Sequence, residues 1–170
     1  MSIIERCASI GDIERMFGVS DIVEVSCKPK GFNTWCRLPY HNHSLGCPNF
    51  GLKRGCPPNG SYFLDKYEPL VRVAYLKFNF EEYLNLRRDA HPDWTERALR
   101  NPRHFQRHLD AGLRKNIEKQ ELSEGFVPVY TIEAMGVNVH RTRLNAGIVL
   151  EWPPKKTMYR IALLAKPLLS

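Results

Sequence analysis

No apolar run in this 170-residue chain approaches the roughly 18 residues that a membrane-spanning helix needs, so no such helix is expected. The first residues, Met-Ser-Ile-Ile-Glu-Arg-Cys-Ala-Ser-Ile, lack the apolar core and small-residue cleavage site of a secretory signal. Charges interrupt them early, and the expected location is the cytoplasm. A Gly-rich phosphate loop of Walker spacing and a GxSxG nucleophile elbow are both missing, so nucleotidase and hydrolase chemistry gain no support. Internal repeats and low-complexity segments are absent. Residues 57–170 contain no cysteine, so all thiol chemistry is confined to the first third of the chain.

What is present is ordinary for a globular protein: 43% of residues are hydrophobic and 25% charged. A chain of this length can bury about two-thirds of its unfolded surface around one core, and a single domain over 1–170 is expected. The net charge of +7 and pI near 9.3 draw the protein towards polyanions, RNA, DNA or an acidic partner. The same charge serves plain solubility.

Ile10, Ile13, Met16 and Phe17 recur at helical spacing, with Gly18 as the stop and Ile22, Val23 and Val25 as a short strand beyond it. The β-branched and aromatic run Leu70-Val-Arg-Val-Ala-Tyr-Leu-Lys-Phe reads as a buried strand. Helices are expected over 81–88 and 93–100, and a third from the cap Asn101-Pro102 to about 122. On that third helix Phe105, Leu109, Leu113 and Ile117 form an apolar stripe, while Arg103, Arg107 and Arg114 form a basic one that can meet an anion or simply face solvent. Then come an extended segment over 127–132, a helix over 137–145 closed by Ala146-Gly147, and strands over 148–152 and 158–165 joined by Pro153-Pro-Lys-Lys-Thr157 as a hairpin. The fold class is α+β (or α/β): a small mixed sheet with helices packed on it, a long loop and a C-terminal β-hairpin.

That loop, residues 27–60, carries the chemistry. Ten prolines and glycines from Pro29 to Gly60 punctuate it, and a loop of this length in a compact domain implies that something orders it. Cys27, Cys36, Cys47 and Cys56 are separated by eight, ten and eight residues, too wide for the CxxC knuckle of common zinc fingers, so separate loops must converge on one centre. Thiolates select zinc, copper(I) or iron-sulfur clusters over magnesium or calcium. Cys47-Pro48 and Cys56-Pro57-Pro58 match the Cys-Pro ending of ferredoxin-type ligand runs. Cys36, Cys47 and Cys56 can therefore hold three irons of a 4Fe-4S cluster, with Cys27, a histidine, water or substrate completing it. Free buried thiols are the plainer alternative, weakened because the stretch is rich in Gly and Pro rather than apolar residues. His41 and His43 can donate a ligand or a hydrogen bond to one. His104 and His108 share the i,i+4 spacing of a metal pair, but Phe-Gln-Arg between them lacks the glutamate of HExxH.

Two segments resemble an uncharacterised family of predicted metal-binding proteins, domain of unknown function 2284. One is Cys36-Arg-Leu-Pro39 through Gly46-Cys47-Pro-Asn-Phe-Gly51 to Cys56-Pro-Pro58. The other is Ile132-Glu-Ala-Met-Gly-Val-Asn-Val-His140 through Thr142 to Asn145-Ala-Gly147. The resemblance spans most of residues 20–165 and implies metal binding, with the reaction open. Many relatives carry a second cysteine cluster that is missing here, which argues against a two-cluster electron relay. Glu133, at a turn before the last helix, can orient a ligand or move a proton, or simply cap a corner. The expected function is one iron-sulfur cluster on three cysteines, serving redox or sulfur chemistry with an unknown redox partner or small-molecule substrate. The alternative is a structural zinc protein whose basic helix binds nucleic acid or an acidic partner.

Overall fold

The β-branched run around Val71 forms the longest strand of a computed structural model that describes residues 13, 15–30, 34–39, 43–122 and 125–169. Strand β1 (Arg15–Glu24) and a single helical turn α1 (Thr34–Arg37) precede it. Strand β2 (Tyr67–Asn79) leads directly into α2 (Phe80–Ala90), then the short α3 (Glu96–Leu99) and α4 (Gln106–Glu118). Strand β3 (Val127–Val129), helix α5 (Val139–Asn145) and strand β4 (Thr157–Pro167) complete the order. The strands form an antiparallel sheet in the order β1-β2-β4-β3, and the fold is α+β.

The described residues fall into two compact units, one of residues up to 18, 74–121 and 149–161, the other of 19–73, 122–148 and 162–169. In the first unit the expected apolar stripe of α4 is buried at Leu109, Leu113 and Ile117. Gly112 lies so close to β2 that a Cβ there would come within 3.1 Å of the Leu76 side chain. Phe78, Phe80, Tyr83 and Phe105 form an aromatic cluster with ring centroids 5.2 to 6.3 Å apart. Helix α2 starts where Asn79 accepts from the Glu82 N–H, as an N-cap does.

In the second unit β3 pairs with β4 through Val127 and Ala165, Pro128 and Leu164, and Val129 and Leu163. Ala162, Leu163, Leu164 and Ala165 are buried consecutively. Since successive side chains point to opposite faces, both faces of β4 are covered there.

Three expectations need correction. Met16 and Phe17 lie in β1 rather than in a helix; Ile10 is outside the described residues. Gly18, read as a helix stop, is a strand position over which the Tyr75 ring packs, leaving only 2.5 Å for a Cβ, so tertiary packing overrides the local period. The C-terminal hairpin is absent, because residues 148–156 form no strand. Val149 and Trp152 are exposed, and the Glu151 carboxylate accepts from the backbone N–H groups of Lys155, Lys156 and Thr157, a turn that replaces strand pairing. Arg103 sits in a 3-10 turn (Pro102–His104) ahead of α4. The backbone break at Phe105 takes it off the stripe of Arg107 and Arg114, all three being exposed.

The buried and exposed stripes of α4 predict a clear contrast in urea unfolding. Leu113→Ala should lower stability by about 2–5 kcal/mol through the cavity it leaves, whereas Arg107→Ala should stay within about 0.5 kcal/mol.

Candidate metal and ligand site

The second unit ties the two halves of its site together before the cysteine loop begins. Cys27 forms an antiparallel bridge with Val137. On either side, the Lys28 N–H donates to the Gly136 carbonyl at 2.8 Å and the Asn138 N–H to the Ser26 carbonyl at 2.7 Å. The buried Thr142 hydroxyl accepts from the Ser26 N–H at 3.0 Å, and Asn145 donates to the Glu24 carbonyl at 2.9 Å. Tyr62 adds a bond from its hydroxyl to the Lys28 carbonyl at 2.6 Å. Its ring also explains Gly136: φ is +86°, and a Cβ would approach the ring to 3.0 Å. Glu133 begins a 3-10 turn (Glu133–Met135) that Gly136 closes.

From this anchor the loop proceeds as linked turns, each closed by backbone hydrogen bonds. The Cys47 N–H donates to the Cys36 carbonyl at 2.7 Å, Phe50 to Cys47 at 3.0 Å, Gly51 to Pro57 at 2.9 Å and Gly60 to Cys56 at 2.8 Å. Gly46 is the tight point. Its φ is +86°, and a Cβ there would sit 2.5 Å from the Cys36 carbonyl oxygen and 2.8 Å from Arg37 Cα. Only glycine fits both the conformation and the space.

These turns bring Cys36, Cys47 and Cys56, with Phe50 and Pro57, to the lining of a cleft of about 460 Å³. Glu133, Val137, Asn138 and His140 line it as well, with Lys28. The two family-like segments thus share one cleft. Pro57, Ala134 and Gly136 also border a neighbouring cavity of about 500 Å³, whose rim includes Lys30 and Asp65, paired at 2.7 Å, and Lys66.

The thiols feel one another. Cys36 is pushed above the ordinary thiol range by burial and then by the Cys47 and Cys56 thiolates, against a smaller pull from the Lys28 ammonium. Burial lowers the pKa of Lys28, opposed by Cys36. Cys27 is pushed up to about 11 by burial, and it is not among the residues lining the cleft. His43 is exposed and also outside that lining. His41 and Cys7 are outside the described residues. His104 packs its ring on Trp94 at 4.8 Å, and the 3-10 turn before α4 separates it from the helical His108. Among the described residues no three His, Cys, Asp or Glu side chains are placed to hold a single metal ion.

Three free thiols around one cleft nevertheless fit a thiolate-ligated cluster in their donor chemistry, since each cysteine there bonds a different iron and the sulfurs need not crowd about one point. Lys28, His140 and Arg143 carry no role in the sequence reading. His140 lies inside the second family-like segment and Lys28 beside Cys27, so position along the chain held the only signal for them. Comparison with family models, with curated proteins and with solved structures finds no match to this chain. No described helix is long and apolar enough to cross a membrane.

Two outcomes follow from the geometry. Gly46→Ala should open the Cys36–Cys47 turn, read as faster amide hydrogen exchange at Cys47, while leaving far-ultraviolet circular dichroism nearly unchanged. Cys27 holds its proton more tightly folded than unfolded, so its contribution to stability is full below pH 9 and lost as pH rises towards about 11. Thermal unfolding of Cys27→Ala should accordingly lose less stability than the native chain across that interval.

Proposed function

We propose that the cleft carries one iron-sulfur cluster on Cys36, Cys47 and Cys56 and serves redox or sulfur chemistry on a small molecule. The observation that supports it is the convergence of three free thiols, from turns ten and eight residues apart, on one cleft that also presents polar side chains. Bound there, such a cluster supplies one-electron transfer or a Lewis-acid iron at the corner no cysteine fills. Cys36, Cys47 and Cys56 anchor it; Lys28 offsets their negative charge, and Phe50, Pro57 and Val137 keep the surroundings apolar. Gly46 and Gly51 let the backbone turn tightly next to the ligand positions.

Cys27 is not among the residues lining the cleft, and its backbone is engaged in the bridge to Val137. A three-cysteine centre with substrate or solvent at its fourth corner is therefore the form proposed. The resemblance to the metal-binding family, carried by the same segments, points the same way. The proposal includes cytoplasmic location, where thiols stay reduced.

Anaerobic purification and reconstitution with iron and sulfide tests this. A brown protein with about four irons and four sulfides per chain is expected, and Cys47→Ser should lose most of both. Colourless protein that takes up one zinc and no iron would replace the cluster with a structural zinc centre. Because ligation must displace the proton of Cys36, raised by burial and by Cys47 and Cys56, uptake should strengthen with rising pH.

A further inference from the structure

Arg143 on α5 is only 4% exposed, yet among the described residues no carboxylate pairs with it. Its Nη1 donates to the Ile148 carbonyl at 2.6 Å, its Nη2 lies 3.0 Å from His140 Nδ1, and its Nε has no partner. A buried cation without a counter-ion is costly, and such groups persist where an anion or a functional constraint compensates them. A guanidinium has donors only. His140 Nδ1 must therefore accept, which puts the ring proton on Nε2.

His140 is itself exposed and lines the thiol cleft. Arg143 thus holds it as an N–H donor, and further donors stand in the same lining. Asn138 uses its Oδ1 to accept from the Arg141 N–H, so its amide nitrogen remains the donor end. Lys28 adds positive charge. Around these groups Phe50, Pro57, Ala134, Val137 and Val139 are apolar, and a volume of about 460 Å³ is within the range of small-molecule sites.

We propose that this cleft binds a small carboxylic acid with an apolar body, its carboxylate received by His140 Nε2–H as fixed by Arg143. The inference takes the thiol cleft as the functional site and in that respect rests on the preceding reading. It names the substrate class there. His140 is the group that touches the ligand, and Arg143 is a positioning residue acting through it. Glu133, also on the lining, carries like charge, so the carboxylate is expected at the Lys28 and His140 end and the apolar body against Phe50 and Val137.

Benzoate, with the uncharged benzamide as control, is the probe. Long-range ¹⁵N–¹H correlation spectra of the native chain should show His140 in the Nε2–H form. Benzoate should shift that resonance and the Val137 and Val139 methyls, and benzamide should not. His140→Phe should weaken benzoate binding by about tenfold or more, the weight of one hydrogen bond to a charged group. His140→Gln, which keeps a donor, should recover part of it. Arg143→Met should lose the tautomer bias; because that change also removes the bond to Ile148, the exposed His140 pair carries the test if Arg143→Met fails to fold. An Nδ1–H ring in the native chain, or equal benzoate affinity in His140→Phe, overturns the inference. Iron and sulfide are assayed on the same preparations. Full loading without benzoate binding removes this inference alone, and benzoate binding without iron uptake removes only the cluster.

Discussion

The antiparallel bridge between Cys27 and Val137 is the constraint on which the site depends. Residues 24–28 run out of β1, and the hydrogen bonds from Lys28 to Gly136, Asn138 to Ser26 and Asn145 to Glu24 fasten that exit to the start and end of α5. Buried backbone groups must find partners, and here each segment satisfies the other. The cysteine loop is thereby tethered at its first residue to the segment carrying Glu133 and His140. Cleft walls from opposite ends of the chain meet because this short pairing leaves them nowhere else to go.

Beyond the bridge, the loop is shaped by its own turns. The bonds from Cys47 to Cys36, Phe50 to Cys47 and Gly51 to Pro57 tie neighbouring turns together, and Gly46 admits a contact that any side chain would block. Order in residues 43–60 therefore has a source in the backbone itself. A loop ordered by its own backbone loses less conformational entropy when any ligand binds to it.

Much of the framework was legible because its signals are local. The Leu109, Leu113 and Ile117 stripe and the helix ending at Ala146-Gly147 depend on period and capping, and the structure has them, whereas Asn101 caps the 3-10 turn Pro102–His104 rather than α4 itself. The segment at Met16 was not legible, since its strand depends on the Tyr75 ring over Gly18, a partner 57 positions away in the sequence. The hairpin failed for a related reason: the short connection Pro153-Pro-Lys-Lys-Thr157 suited a hairpin, but Glu151 gives the N–H groups of Lys155, Lys156 and Thr157 a side-chain acceptor. At the site, the grouping of Cys36, Cys47 and Cys56 was readable from their shared Gly- and Pro-rich stretch, and all three line one cleft. The separation of Cys27 from the cleft lining was not, because a strand bridge decides which way a residue faces and no spacing rule encodes it.

Charge completes the argument. Cys36 becomes harder to ionise when Cys47 and Cys56 carry charge, so nearby cations must stabilise the ionised form. Lys28 supplies the direct counter-charge and is itself pulled towards neutrality by burial. Arg143 cannot yield its proton in the same way. Its charge stays fixed beneath His140 whatever the state of the thiols, and the ring transmits it as an oriented N–H rather than as a mobile proton. One of the two cations is therefore adjustable in charge, and the other is fixed.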